Sequence, residues 1–155
     1  MSNADLRPSH PSFSSAISYR DPKAALAWLE KAFGFETFML ITSAEGNLEH
    51  SEMRYGNGII MVGKEWTADH KSPASIGGKN TQTVHVHVSD IDKHCERAKA
   101  AGAEILAAPE TQFYGDRTYR ARDPEGHIWT FGETVNAVSR EEAEKASGLK
   151  IEGWV

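Results

Sequence analysis

The chain has 155 residues, 39% of them hydrophobic and 25% charged, with a net charge of −5 and one cysteine. That length suits one compact domain or two small modules sharing a core. No apolar run reaches the roughly 18–20 residues that span a bilayer, one cysteine excludes an intramolecular disulfide framework, and an acidic chain without a basic stripe argues against nucleic-acid binding.

Residues 1–13 are polar, carry Pro8 and Pro11, and read as a loose tail. Ser14–Arg20 alternates as a short strand does. Asp21-Pro22 opens a helix, the aspartate as N-cap and the proline at the first helical position. Leu26, Leu29 and Phe33 recur at helical spacing, and Gly34 ends the helix as a left-handed cap. Phe35–Thr42, Asn47–Tyr55 and Gly58–Gly63 read as strands, the last two joined at Gly56-Asn57-Gly58. The first module, 14–64, is therefore βαβββ. Residues 65–80 contain Pro73, Gly77 and Gly78, show little period and read as a linker.

The second module, 81–134, repeats the order. Thr81–Val88 alternates as a strand. Ser89 caps a helix, with Asp92 completing a capping box and Gly102 as its stop. Strands follow at Ala103–Ala108 and Arg117–Arg122, separated by a loop over Pro109–Asp116. The turn Asp123-Pro124-Glu125-Gly126 then leads into an aromatic, β-branched closing strand. In the C-terminal segment 135–155, Ser139-Arg140-Glu141-Glu142 opens a charged helix ending at Gly148, and Trp154 is expected to pack across a surface or onto a second subunit.

Identities at an offset of 68 support a duplication: Lys31 with Lys99, Gly34 with Gly102, Arg54 with Arg122, Gly58 with Gly126 and Ile60 with Ile128. They coincide with helix stops and hairpins. The expected fold class is α+β, two tandem βαβββ modules forming cupped mixed sheets.

Such a duplicated unit, closing on DPEGHIWTFGE (Asp123–Glu133), resembles the vicinal oxygen chelate superfamily of glyoxalases, extradiol dioxygenases, fosfomycin-resistance enzymes and bleomycin-resistance proteins. The resemblance implies a cup in each module with the helix outside, a homodimer, and in the metal enzymes His, Gln or Glu ligands from the first and last strands. At the matching positions this sequence carries Ser14 or Ser15, Val62, Thr83 and Thr130. None supplies the imidazole, carboxylate or thiolate a Zn, Ni or Fe site needs. No cofactor is expected.

His85 and His87, two apart on a strand, share the face of Thr83. They could line a cavity, act as a general base, or form a displaced metal site with Glu52 or His50 as third donor. Tyr19 is the mate of His87 at the offset of 68 and is expected to face the equivalent half of the cup. Ile17, Ile60 and Ile128 would add apolar wall or simply be core. Trp129 and Phe131 alternate away from Thr130, beneath a helix. Arg120, the mate of Glu52, is the candidate anion contact; Arg117 and Arg122 fit a solvated face. His127 reads as turn support, and Cys95 as a small buried hydrophobe.

The leading expectation is a cytoplasmic, small-molecule-binding protein resembling the bleomycin-resistance branch. It would hold an organic ligand, an antibiotic among the candidates, in a cup lined by Tyr19, His85, His87, Thr130, Glu52 and Arg120, with no metal and no catalytic residue. The alternative is a metal-dependent lyase, isomerase or dioxygenase using a shifted site at His85 and His87. Neither reading involves nucleic acid or membrane.

Overall fold

A computed structural model of the chain describes residues 10–154, so most of the expected tail lies outside the described residues. The order is β1 (Ser15–Tyr19), α1 (Pro22–Phe33), β2 (Glu36–Thr42), β3 (Leu48–Tyr55), β4 (Gly58–Lys64), β5 (Val84–His87), α2 (Ile91–Ala100), β6 (Glu104–Thr111), β7 (Asp116–Arg122), β8 (Ile128–Thr134) and α3 (Arg140–Ser147). The strands form two four-stranded sheets, ordered β1-β4-β3-β2 and β5-β8-β7-β6. In each, the first strand runs parallel to the last and the other pairings are antiparallel. This is the α+β architecture of two βαβββ modules. Among the described residues no helix is long and apolar enough to cross a membrane.

Helices α1 and α2 each cover one face of their sheet. Asp21 accepts from the Ala24 N–H at 3.1 Å, Pro22 fills the first turn and Gly34 takes φ 76°, so α1 starts and stops where its sequence directs. It buries Leu26, Leu29, Ala32 and Phe33, and the buried residues of β1, β3 and β4 are Ile17, Tyr19, Leu48, Ser51, Met53 and Val62, together with Glu52, discussed below. In the second module Ile91, Cys95 and Ala98 of α2 are buried, as are Tyr119, Ala121, Trp129 and Phe131. Polar atoms there find partners: Trp129 Nε1–H donates to Asp123 at 3.1 Å, and His94 Nδ1 and the Tyr119 hydroxyl share a 2.6 Å hydrogen bond. Burial pushes the Cys95 thiol up from its ordinary pKa, which suits an inert core residue.

Three local expectations are corrected. β5 spans only Val84–His87: Val84 pairs with Trp129, the second residue of β8, so upstream of Thr83 there is no β8 residue left to face. Ser89 does not cap α2. Asp90 holds the N-cap position at φ 54° without a side-chain cap bond, and the Ile91 N–H donates instead to Glu133 at 2.7 Å. Asp92 is drawn to Arg117, whose guanidinium holds its carboxyl below the ordinary pKa. Finally, β6 runs through Pro109 to Thr111. It is the outer strand of its sheet, where a missing N–H removes no ladder bond.

Strand pairing also refines the repeat. Arg54 pairs with Ile59 and Arg122 with Ile128; Ile17 pairs with Val62 and Val86 with Phe131. The offset is 68 between β3 and β7 but 69 between β4 and β8 and between β1 and β5. The cause is the hairpin: Asp123–His127 joins β7 to β8 where Tyr55–Gly58 suffices in the first module.

The chain divides into two compact units, one running through Thr81 and including Pro124–His127, the other comprising Gln82–Asp123 and the chain from Ile128. The longer turn thus belongs to the first unit. There the Glu125 carboxylate accepts from the N–H groups of Arg20 (2.7 Å) and Asp21 (3.0 Å) at the start of α1. His127 Nε2–H donates to the Ser18 carbonyl at 2.8 Å, and its ring lies 4.6 Å from that of Tyr19. Gly126 has φ 94°, and a Cβ there would come within 3.0 Å of Pro73. Gly56, in the other hairpin, also has positive φ but open space around it. Gly56→Ala is therefore expected to cost about 1 kcal/mol from conformation alone, and Gly126→Ala about 2–3 kcal/mol because contact adds to it. Urea denaturation of the two variants measures the difference.

Candidate functional site

Opposite the helix-covered face, each sheet has an open one. In the second unit the register places His85, Thr130 and Arg120 side by side across β5, β8 and β7, with His87, Gly132 and Thr118 in the next row. Arg120 Nε–H donates to the Thr130 hydroxyl at 3.4 Å. The other β7 arginines are engaged by acids, Arg117 by Asp92 and Arg122 by Glu104, both at 2.9 Å. Among the described residues Arg120 has no such ion pair, and it is exposed, with donors able to take an acceptor.

Gly132 matters for space, not conformation. A Cβ on it would sit 3.0 Å from His85 Nε2, so the missing side chain lets the imidazole lie over β8. The His85 and His87 rings are 5.4 Å apart at 30°. Desolvation, then the neighbouring His87, pushes the His85 pKa below its ordinary 6.5, with Asp116 opposing. Neutral imidazole is the form that accepts a hydrogen bond, takes a proton or ligates a metal.

In the first unit the matching face carries one buried acid. Glu52, 5% exposed, accepts from His50 Nε2–H at 3.1 Å through Oε1, and its buried Oε2 has no hydrogen-bond partner among the described residues. A buried carboxylate oxygen without a donor is costly unless a ligand or water supplies one. Glu52 pairs across the ladder with Met61.

Tyr19 does not share this open face. It is 1% exposed, packed in the core with His127. The offset of 69 makes Ser18, not Tyr19, the equivalent of His87: Ser18 pairs with Gly63 as His87 pairs with Gly132. A one-residue shift turns a strand side chain to the other face. For the same reason the mate of Thr130 is Met61, while Val62 is core. Ile17 is buried, and Ile60 and Ile128 are half-buried.

The residues present do not fit the metal centre that the family resemblance implies. The last-strand positions hold Met61 and Thr130, Thr83 lies upstream of β5, and Ser15 offers only a hydroxyl. Among the described residues no three His, Cys, Asp or Glu side chains are grouped to hold an ion, so His85 and His87 lack a third donor there.

Comparison with known proteins agrees with this architecture. The family model of the Glyoxalase/Bleomycin resistance protein/Dioxygenase superfamily matches residues 12–131. The chain belongs to that superfamily. TioX from Micromonospora sp. ML1 is a solved structure 35% identical to it, covering 81% of this chain and 99% of that one at a TM-score of 0.66. TnmS3, an antibiotic binding protein from Streptomyces sp. CB03234, shares the fold at 14% identity and a TM-score of 0.60, over 81% and 99% of the two chains. An uncharacterized protein of Mycobacterium bovis is 29% identical over 147 residues, 92% of this chain and 96% of that protein.

Two features of this superfamily member were invisible to sequence pattern. Gly132 sits in a strand with no turn to explain it, and only the His85 contact does so. Trp66 and His70 fall in the linker, where period gives no signal; their rings stack at 4.1 Å, and Trp66 is 65% exposed. An exposed tryptophan outside any amphipathic pattern is the signal that could have found them.

The imidazole environment is testable. By NMR, His85 should titrate below 6.5, and His87→Ala should move it part of the way back, since the larger, desolvating cause remains. Between the folded pKa and 6.5 the unfolded chain binds more protons at this position. Its contribution to stability therefore falls as pH drops through that window and is constant above it.

Proposed function

We propose that this protein binds a small organic ligand on its open sheet faces without the superfamily's usual metal, as an antibiotic-sequestering protein would. The observation that carries the reading is the row His85–Thr130–Arg120. A position where metal enzymes place a ligand holds a threonine hydroxyl, bonded to a guanidinium that no acid among the described residues neutralises. Such a row can hold a ligand oxygen by hydrogen bonds from Arg120 and Thr130, with neutral His85 as acceptor for a ligand N–H or O–H. In the first unit, Glu52 offers an acceptor of opposite charge at the repeat-equivalent position of Arg120. The likeness to TnmS3, described as an antibiotic binding protein, supports this use of the fold. A cytoplasmic homodimer is the proposed setting.

One observation favours a second reading, a metal-dependent lyase, isomerase or dioxygenase at His85 and His87. The two imidazoles are adjacent, and His85 is held toward its neutral, ligating form. The metal would supply Lewis-acid polarisation of vicinal oxygens.

A thermal-shift screen separates the two, combining cationic and aromatic antibiotics with Zn, Ni, Mn or Fe(II), with and without chelator. The binding reading expects organic ligands to raise the melting temperature equally in chelator. It also expects Arg120→Ala to weaken an acceptor-bearing ligand about 10- to 100-fold, the size of a charge-assisted hydrogen bond, at unchanged melting temperature of the free protein. Stabilisation that needs metal and disappears in the double variant His85→Ala with His87→Ala contradicts it.

A further inference from the structure

The duplication places an imidazole from β5 over β8 in the second unit, whereas the equivalent residue of β1, Ala16, has no ring to place over β4. On the offset of 69, His85 corresponds to Ala16, His87 to Ser18, Thr130 to Met61 and Gly132 to Gly63. Above Gly132 the space is taken by the His85 ring, 3.0 Å from where a Cβ would be; above Gly63 a Cβ would meet nothing within 4 Å. All four first-unit residues line a cavity of about 460 Å³, a volume typical of small-ligand sites. Trp66 and His70, stacked at 4.1 Å and 27°, line the same cavity. The His70 ring is held by a hydrogen bond to Thr67.

We propose that this cavity is a ring-binding slot that takes a planar heteroaromatic group bearing N–H or cationic nitrogen, in the space that His85 fills in the second unit. The proposal rests on the ligand-binding reading and names the chemistry that one part of the site accepts. The preference for a planar ring follows from the lining, which includes the stacked Trp66 and His70 rings and Met61, whose polarisable thioether suits an aromatic edge. The preference for a donor nitrogen follows from Glu52. It lies behind the cavity wall and takes the Nε2–H of His50, which does line the cavity, so that the other ring nitrogen of His50 is left as the acceptor for a ligand N–H. The nearest rim charges, Glu49 and Lys64, neutralise one another at 2.9 Å.

The test is an NMR titration of the full chain with 2-aminobenzimidazole, a planar probe that carries N–H groups, with cyclohexylamine as a cationic but non-planar control. The expected result is a set of shifts centred on the Trp66 indole N–H and the Met61 and Gly63 amides, with none from cyclohexylamine. Gly63→Leu projects into open space at an ordinary backbone φ, so it should keep the fold, fill the slot and abolish binding. Ala16→His, supplying the missing ring from β1, should do the same. Trp66→Ala should weaken binding about tenfold, the size of an aromatic stack. Undiminished binding in Gly63→Leu and Ala16→His, or no binding at about millimolar probe, overturns the slot. Loss of binding in Arg120→Ala while Gly63→Leu binds normally also overturns it, and leaves the broader ligand-binding reading standing. Loss in Gly63→Leu supports the slot whatever Arg120→Ala does.

Discussion

The pairing of the first strand of each module with its last, β1 with β4 and β5 with β8, is the constraint on which the rest of the structure depends. Side chains alternate along a strand, so the register of that parallel ladder decides which residues enter the helix-covered core and which reach the open face. One extra residue in the β7–β8 turn keeps that register the same in both modules while moving the sequence offset from 68 to 69. Thr130 therefore stands opposite His85 in one sheet as Met61 stands opposite Ala16 in the other, and Val62 and Phe131 both lie in the core. The longer turn is not slack. Glu125 caps the entry to α1 and His127 packs on Tyr19, so the added length is tied down by hydrogen bonds.

On that common frame the two open faces have diverged chemically. Glu52 and Arg120 occupy equivalent places with opposite charge, and His85 fills space that Ala16 and Gly63 leave vacant. The chemistry follows from what each donor set can do. Hydroxyl, thioether and guanidinium groups make a poor transition-metal site but a serviceable one for an organic molecule, where a few directed polar groups orient a ligand held mainly by apolar contact. Membership of the superfamily sets the frame without choosing between these uses, because function resides in the side chains placed on a fold.

What could be read from the sequence was what is local. Asp21 and Gly34 bracket α1, and Ser139 and Gly148 bracket α3, as composition alone directs, because each cap is made within three or four residues of itself. The duplication was equally legible from the glycines that end helices and turn hairpins. Ser89 misled because the acceptor for the Ile91 N–H comes from Glu133, forty-two positions away in sequence. Pro109 suggested a loop because a sequence does not say which strand will be outermost. Tyr19 was aligned with His87 through an offset measured in helices and turns, and a single residue of drift sufficed to reverse its face. Arg120 was singled out from its neighbours by its repeat mate; the structure adds the reason, since Asp92 and Glu104 engage the other two.

The most direct measurement is a crystal structure of a ligand complex from protein purified without chelator, with anomalous scattering recorded at the Zn, Ni and Fe edges. The account predicts ligand density on an open face, with polar contacts to Arg120 and Thr130, and no anomalous peak at His85 and His87. A peak coordinated by both imidazoles, with two ligand oxygens completing its shell, would contradict it.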